Sequence, residues 1–212
     1  MSVPETYSRT LTANDLAEVA RIHCAAFPGR ALTRLGDEAV RRYYAWQFEG
    51  PHDAVYLAAC QGDRLIGYLF GGTFRGSLSG FVRKNRGWLI VAVLTHPWCL
   101  LSEEFRDRIR TALRAVGSGG GSRPSAPVSV ERSFGILAIA VDPAVQGTGA
   151  GKVLMLEAER IAREQGFAKM NLSVDPRNVQ AVTFYERLGW VRRGAGDAWT
   201  GVMDKPLPTD RV

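Results

Sequence analysis

Three observations predict an α/β fold of the α+β kind, with a sheet flanked by helices. A near-continuous apolar run, Phe134–Val141, leads through a glycine-rich loop into a helical pattern. Two more apolar runs, Ala54–Cys60 and Leu65–Thr73, are joined by the turn Gln61-Gly62-Asp63 and read as a hairpin. Elsewhere the apolar residues fall at helical spacing between short strand-like runs.

Taken in order, Thr6–Leu11 reads as a first strand. Thr12-Ala13-Asn14-Asp15 then resembles a capping box, with Asp15 where Glu or Gln is usual. Leu16, Val19, Ala20, His23 and Phe27 follow at helical spacing, which predicts an amphipathic helix over 13–26 that Pro28-Gly29 stops. A second helix is predicted from Asp37 to Phe48. The hairpin comes next. Residues 74–87 are rich in Gly and Arg and read as irregular; an apolar run at 88–101 and a charged helix near 103–116 follow. Residues 117–127 have linker composition. Phe134–Val141 suits a strand covered on both faces. A helix is predicted from about Gly149 to Gln165, capped by Gly166, then a strand at Lys169–Val174 and a helix at Asn178–Leu188. Trp190–Arg193 and Ala198–Asp204 close the chain as strands. The whole reads as a single domain, 1–212, with an insertion at 74–132.

Composition narrows the classes of function. The apolar share, 46%, is enough for a core. The net charge of +6 comes from arginine, since Lys84, Lys152, Lys169 and Lys205 are the only lysines. Such a charge serves a nucleic acid, an anionic membrane or a polyanionic cofactor equally well. Aromatic residues are not interleaved with the basic ones and no recognised nucleic-acid module is present, so nucleic acid is not expected. Cys24, Cys60 and Cys99 form no CxxC pair, and His23, His52 and His96 are scattered, so neither a disulfide framework nor a metal site is expected. The N-terminus has no apolar targeting segment and the run 88–101 is too short to span a bilayer, so a cytoplasmic protein without stable membrane insertion is expected.

The stretch Val141-Asp142-Pro143-Ala144-Val145-Gln146-Gly147-Thr148-Gly149-Ala150-Gly151-Lys152 carries the chemistry. A buried strand enters glycines, and the glycines enter a helix whose first N–H groups are unpaired and partly positive. That is a phosphate cradle. A P-loop would need Gly at 146 and Ser or Thr at 153, where Gln146 and Val153 stand. The dinucleotide pattern begun at Gly147 would need Gly at 152 and meets Lys152. The pattern Gln/Arg-x-x-Gly-x-Gly/Ala does fit, through Gln146, Gly149 and Gly151. Further on stands Asn178-x-x-Ala181-x-x-Phe184-Tyr185-x-x-x-Gly189-Trp190. Together with the ending Val202–Leu207, these motifs resemble the cofactor-binding half of the GCN5-related N-acetyltransferase (GNAT) superfamily over residues 134–207.

The resemblance implies a mixed, largely antiparallel sheet, splayed where acyl-CoA enters, with a helical insertion before the fourth strand. It implies an acyl-CoA-dependent N-acyltransferase that moves an acetyl group from acetyl-CoA, or another acyl-CoA, to an amine. The implied cofactor contacts are Ile139, Ala140 and Val141 on the strand, Gln146, Gly147, Thr148, Gly149, Ala150, Gly151 and Lys152 in the cradle, and Asn178. Tyr185 is implied as the general acid that protonates the departing thiolate, beside the cofactor sulfur. Relatives that acetylate protein N-termini often carry Leu-Glu-Val where this chain has Leu172-Ser173-Val174. A serine cannot act as a carboxylate base. Glu131, Asp175 and a water relay remain as alternatives.

The implied acceptor is a primary amine of a small molecule: an amino sugar, an amino acid or an amine metabolite. A protein N-terminus or lysine, and a non-catalytic acyl-CoA sensor, are the alternatives. Acceptor contacts in this superfamily come from the first helices, which points to Phe27, Arg30, Arg34 and Tyr43. The insertion, with Arg75, Arg83, Lys84 and Arg86 beside Trp88 and Trp98, reads as a substrate lid, a homodimer contact, an interfacial membrane helix or an extra helical layer.

Overall fold

The computed structural model describes residues 5–96, 132–194 and 199–208. One seven-stranded sheet organises them. Its strands are β1 Thr6–Thr10, β2 Asp53–Gln61, β3 Arg64–Thr73, β4 Ser133–Val141, β5 Lys169–Ser173, β6 Val191–Arg192 and β7 Val202–Pro206. The spatial order is β1-β2-β3-β4-β5-β7-β6. Every neighbouring pair is antiparallel except β4 and β5, which run parallel. A parallel pair needs a crossover, and the helix between these two strands supplies it.

The helix expected over 13–26 opens as a 3₁₀ turn at Ala13–Asp15 and continues as helix α1, Leu16–Ala26. The Thr12 backbone N–H donates to the Asp15 carboxylate at 2.8 Å, closing the capping box, and Arg9 grips the same carboxylate. A four-residue helix α2, Ala31–Arg34, and helix α3, Asp37–Glu49, follow. α1 and α3 lie on one face of the sheet. Leu16, Val19, Ile22, Val40 and Tyr44 pack there against Ala58, Cys60, Tyr68 and Phe70. The alternation of β2 sends Leu57 and Ala59 to the opposite face. That second core is covered by α6, Ala150–Glu164, through Leu154, Met155 and Ala158, and by α7, Val179–Arg187, through Tyr185. Gly166, at φ +72°, closes α6 as a left-handed cap.

The stretch read as irregular is helical. α4, Ser77–Lys84, and α5, Arg86–Thr95, replace the expected loop at 74–87 and take up most of the described part of the apolar run. Composition missed them because their stability comes from tertiary contacts. Phe81 stacks edge-on to Tyr43 at 5.5 Å, and Trp88, Leu89, Ala92 and Val93 pack on Ala31, Leu35 and Ala39. Together α4 and α5 form a helical layer over α2 and α3. The charged helix near 103–116 and the linker at 117–127 lie outside the described residues, as does Glu131. Among the described residues, no helix is long and apolar enough to cross a membrane.

β4 departs from expectation in an informative way. Phe134 is fully buried, but Gly135 through Ile139 are only half-buried rather than covered on both faces. The reason lies in the register. β4 pairs with β3 along its length, with a bulge opposite Phe70 and Gly71, but it pairs with β5 only from Ser133 to Ile136. Beyond that point the two strands part and leave a wedge in the sheet.

Candidate active site

The wedge has a backbone wall, an anion cradle at one end and a cleft at the other. The wall is the second half of β4. From Leu137 to Val141 its edge toward β5 has no strand partner among the described residues, so main-chain N–H and C=O groups line the opening. Ile139 and Val141 point into the core shared with α6 and α7, and Ala140 points to the α1 face opposite Tyr68.

The cradle follows at once. Asp142 caps the short turn Pro143–Val145 by accepting the Ala144 N–H at 3.0 Å, with Pro143 at the first position of the turn. Gly147 and Gly149 take φ of +84° and +87°, in the left-handed region that glycine enters without strain. A Cβ on either would meet nothing within 4 Å, so the loop stands open to a ligand. Gly151 has a different reason: a Cβ there would come to 3.3 Å from the Phe184 ring. It lets α6 pack against α7. The first turn of α6 carries no acidic residue and does carry exposed Lys152, so its positive end is undiminished. The Thr148 hydroxyl is used locally, donating to the Val145 carbonyl at 2.8 Å, and Gln146 reaches the Val141 carbonyl.

Asp142 escaped the sequence reading as a site residue. Its carboxylate is almost fully buried and receives Arg21 of α1 at 2.7 Å and Arg64 of β3 at 3.0 Å. The Arg21 hydrogen bond, then that from Ala144, hold its pKa below the usual carboxylate range. Asp142 thus clamps the start of the cradle to both α1 and the sheet. The available signal was Asp-Pro directly after a strand, which marks a side-chain cap. Asp142→Asn is expected to cost about 1–2 kcal/mol of stability, the loss of charge-assisted hydrogen bonds that stay partly solvated. It should also raise the dissociation constant for coenzyme A several-fold. Urea unfolding and calorimetric titration check both.

Tyr185 sits on the inward face of α7, 8% exposed, with its ring 5.3 Å from Phe184 and 6.0 Å from Trp190. It belongs to the core cluster against which Ile136, Ile139 and Val141 pack, so it lies on the β4 side of the wedge. Burial raises its pKa to about 12. Asn178 caps α7 through its side-chain oxygen, which accepts the Ala181 N–H at 3.1 Å. Ser173 is exposed at the end of β5.

At the other end, a cleft of about 430 Å³ opens between the end of α1 and the start of α7. Phe27 and Arg30 line it together with Pro28, Asp175, Arg177 and Asn178. Two of the four acceptor-site candidates from the sequence therefore meet here. The others do not. Arg34 donates to the Gly29 carbonyl at 3.1 Å and braces the loop, and Tyr43 packs between α3 and α4 with its hydroxyl 3.1 Å from Ser77. Arg177 had not been singled out, because an exposed arginine in a loop gives no signal until folding brings it beside Phe27. Asp175 accepts from the Arg177 backbone and guanidinium at 3.0 to 3.1 Å, and those bonds hold its pKa near 2. So strongly held a carboxylate is a poor proton acceptor.

Comparison with known proteins agrees with this geometry. The Acetyltransferase (GNAT) family profile matches residues 112–190. A mycothiol acetyltransferase from Streptosporangium roseum is 39% identical over 77 residues, which is 36% of this chain and 20% of that protein. The chain thus spans about a fifth of the length of the curated relatives it matches. The PaiA N-acetyltransferase from Thermoplasma acidophilum, solved with coenzyme A, superposes with a TM-score of 0.56 at 17% identity, covering 95% of this chain and 99% of that one. A GNAT family acetyltransferase from Brucella melitensis, solved with acetyl-CoA, gives 0.52 at 15% identity, covering 97% and 90%.

Proposed function

We propose that this chain, whose residues 112–190 match the Acetyltransferase (GNAT) family, transfers an acetyl group from acetyl-CoA to the primary amine of a small molecule. One observation carries the reading: β4 and β5 part directly beside an open glycine cradle. The unpaired edge of β4 at Ile139–Val141 suits the amide-bearing arm of coenzyme A, which can add to it as a strand would. The amides of residues 146–152 and the positive end of α6 suit its pyrophosphate, with Lys152 adding charge. The residues fit the group. Bound acetyl-CoA supplies an activated acyl group as a thioester.

The chain's own part is to position, to stabilise charge and to hold one proton. A main-chain N–H of the β4 edge stabilises the oxyanion that develops on the acyl oxygen. Tyr185 holds its proton at Oη for the departing thiolate. Asp175 is too firmly ionised to act as base, and the acceptor's proton leaves to solvent water through the open cleft.

The test has two parts. Coenzyme A should raise the melting midpoint of the protein at physiological salt while an oligonucleotide does not. Free thiol should appear from acetyl-CoA only when an amine from a metabolite panel is added. Stabilisation by the oligonucleotide and not by coenzyme A would overturn the reading. Binding without turnover of any amine would reduce the protein to a non-catalytic acyl-CoA sensor.

A further inference from the structure

The blind end of the wedge presents a polar side chain whose acceptor atom is unused. The pairing of β4 with β5 ends at Gly135 with Asn171 and Ile136 with Leu172, so Asn171 stands where the two strands part. Met170 and Leu172 face the core under α6 and α7, and strand alternation therefore turns Asn171 and Ser173 to the α1 side. On that side the core under α1 and α3 stops at β4. Leu137, Ala138 and Ala140 belong to it, and no described residue of β5 does. Asn171 is thus only half-buried, on a face that leads from Asp175 of the cleft back along β5 through Ser173.

The amide is held at one end and open at the other. Its Nδ2 donates to the Ser133 hydroxyl, which fixes the orientation. Its Oδ1 lies over Gly135, where a Cβ would come to 3.4 Å from it and to 3.3 Å from the Gly72 carbonyl. Among the described residues Oδ1 accepts no hydrogen bond, yet it is not one of the sealed polar atoms of the interior. An amide oxygen has two lone pairs to offer. The neighbouring carboxylate is already used: Asp204 of β7, paired with Asn171, is gripped by the Arg193 guanidinium.

We propose that Asn171 Oδ1 receives an N–H of the acceptor amine and holds its nitrogen for attack on the thioester. This rests on the acetyltransferase reading and adds to it the group that positions the nucleophile. From Val141 back to Ile136 the β4 edge runs five residues, about 17 Å, so an arm laid along it from the cradle ends at this blind end. Tyr185, the proton donor to sulfur, packs in the cluster that includes Ile136, on the α7 side. Asn171 is on the α1 side. The leaving sulfur and the incoming nitrogen are then served from opposite faces of the sheet. No carboxylate is needed for this part. An amide oxygen accepts a hydrogen bond without taking the proton, and it leaves the nitrogen lone pair free to attack. Because Ser133 orients it beforehand, part of the ordering cost is spared at the moment of reaction.

The experiment uses two coenzyme A derivatives that need no turnover. S-carbamoylmethyl coenzyme A ends in an amide whose N–H groups lie just beyond the carbonyl, and the matching methyl ester has none. Calorimetric titration of the unaltered protein should show the amide binding about five- to tenfold more tightly, the scale of one net hydrogen bond. Asn171→Leu should abolish that preference while binding coenzyme A itself as before. Asn171→Asp, which keeps an oxygen acceptor, should retain it. With an amine that the unaltered protein acetylates, Asn171→Leu should lower kcat about tenfold or more and leave the KM for acetyl-CoA unchanged. Asn171→Asp should move the rising limb of kcat to higher pH, because a carboxylate favours the bound ammonium ion. An unmoved limb overturns the proposal, and this arm stands even where Asn171→Leu fails to fold. Equal binding of amide and ester by the unaltered protein also overturns it, as does a preference that survives in Asn171→Leu or is lost in both variants. None of these outcomes touches the acetyltransferase reading. That reading falls if coenzyme A does not bind, and the proposal falls with it.

Discussion

Replacing Tyr185 with phenylalanine is expected to lower kcat for acetyl transfer by roughly a hundredfold or more, while the melting midpoint stays close to that of the unaltered protein. The two halves of this expectation come from one fact. The ring packs between Phe184 and Trp190, and phenylalanine preserves that packing. Removing a hydroxyl that makes no hydrogen bond among the described residues costs the fold little. Burial lifts the Tyr185 pKa to about 12, so the group keeps its proton across the neutral range. A free thiol ionises near 8.5, so full transfer to a thiolate in water would be uphill by roughly 5 kcal/mol. The departing thiolate is not in water, however. It forms beside the half-buried strand β4 and the buried Tyr185 ring, where partial desolvation raises its proton affinity as burial raises that of the phenol. The two affinities approach each other, and a hydrogen bond that strengthens as charge develops does most of the work. Stopped-turnover measurements of thiol release decide the matter. A kcat within about twofold of the unaltered enzyme would relegate Tyr185 to packing.

The division of labour around Tyr185 also explains why some of the site was legible in the sequence and some was not. Glycine loops and helix caps are local: Gly147, Gly149, Asn178 and Gly189 serve conformations or caps within a few residues of themselves, so their spacing announces them. The mixed, largely antiparallel sheet came with the family resemblance, whereas the strand order and the parallel β4–β5 pair are visible only in the structure. Long-range partnerships leave no such trace. Arg21 meets Asp142 across 121 residues, and Arg30 meets Asp175 across a similar span. Nothing in either neighbourhood distinguishes these arginines from solvated ones. An extra helical layer was among the readings of the insertion, but the helix at 77–84 within the stretch read as irregular left little local trace, since its glycine and serine weaken helical propensity and it is held by Tyr43 from elsewhere in the chain. The half-open β4 was misread because apolar residues that line a groove look like apolar residues in a core.

His23 was legible only as a helical core position, yet it carries the largest expected dependence of stability on pH. Its Nδ1 lies 3.0 Å from the Tyr44 hydroxyl and 2.9 Å from that of Tyr68, and those hydroxyls are 2.9 Å apart. If Nδ1 is the bare nitrogen, Tyr44 donates to Tyr68 and Tyr68 donates to Nδ1, so both hydroxyl protons are used. The Nε2 atom is buried without a partner. Protonation would place a cation among Phe27, Tyr44 and Tyr68 largely away from water, and burial accordingly lowers the pKa from 6.5 to about 4. The unfolded chain takes up this proton near pH 6.5 and the folded protein not until about pH 4, so the unfolded state binds more protons between those values. Stability from this source is complete above pH 6.5 and is lost as the pH falls to about 4, a change of about 3 kcal/mol. That is a large share of a typical folding free energy. Asp15 and Asp175, lowered from 3.8 to about 2, release their contributions below that window, whereas Glu38, Glu157 and Glu159, lowered from 4.5, begin to release theirs near its lower end in any variant alike. Urea midpoints between pH 7 and 4 should therefore fall more steeply for the unaltered protein than for His23→Gln, whose amide oxygen can accept from Tyr68 but cannot titrate, and the difference between the two profiles isolates His23. Parallel slopes for the two proteins would show that His23 takes up its proton in the folded state as readily as in the unfolded one, and that the tyrosine pair does not keep it neutral.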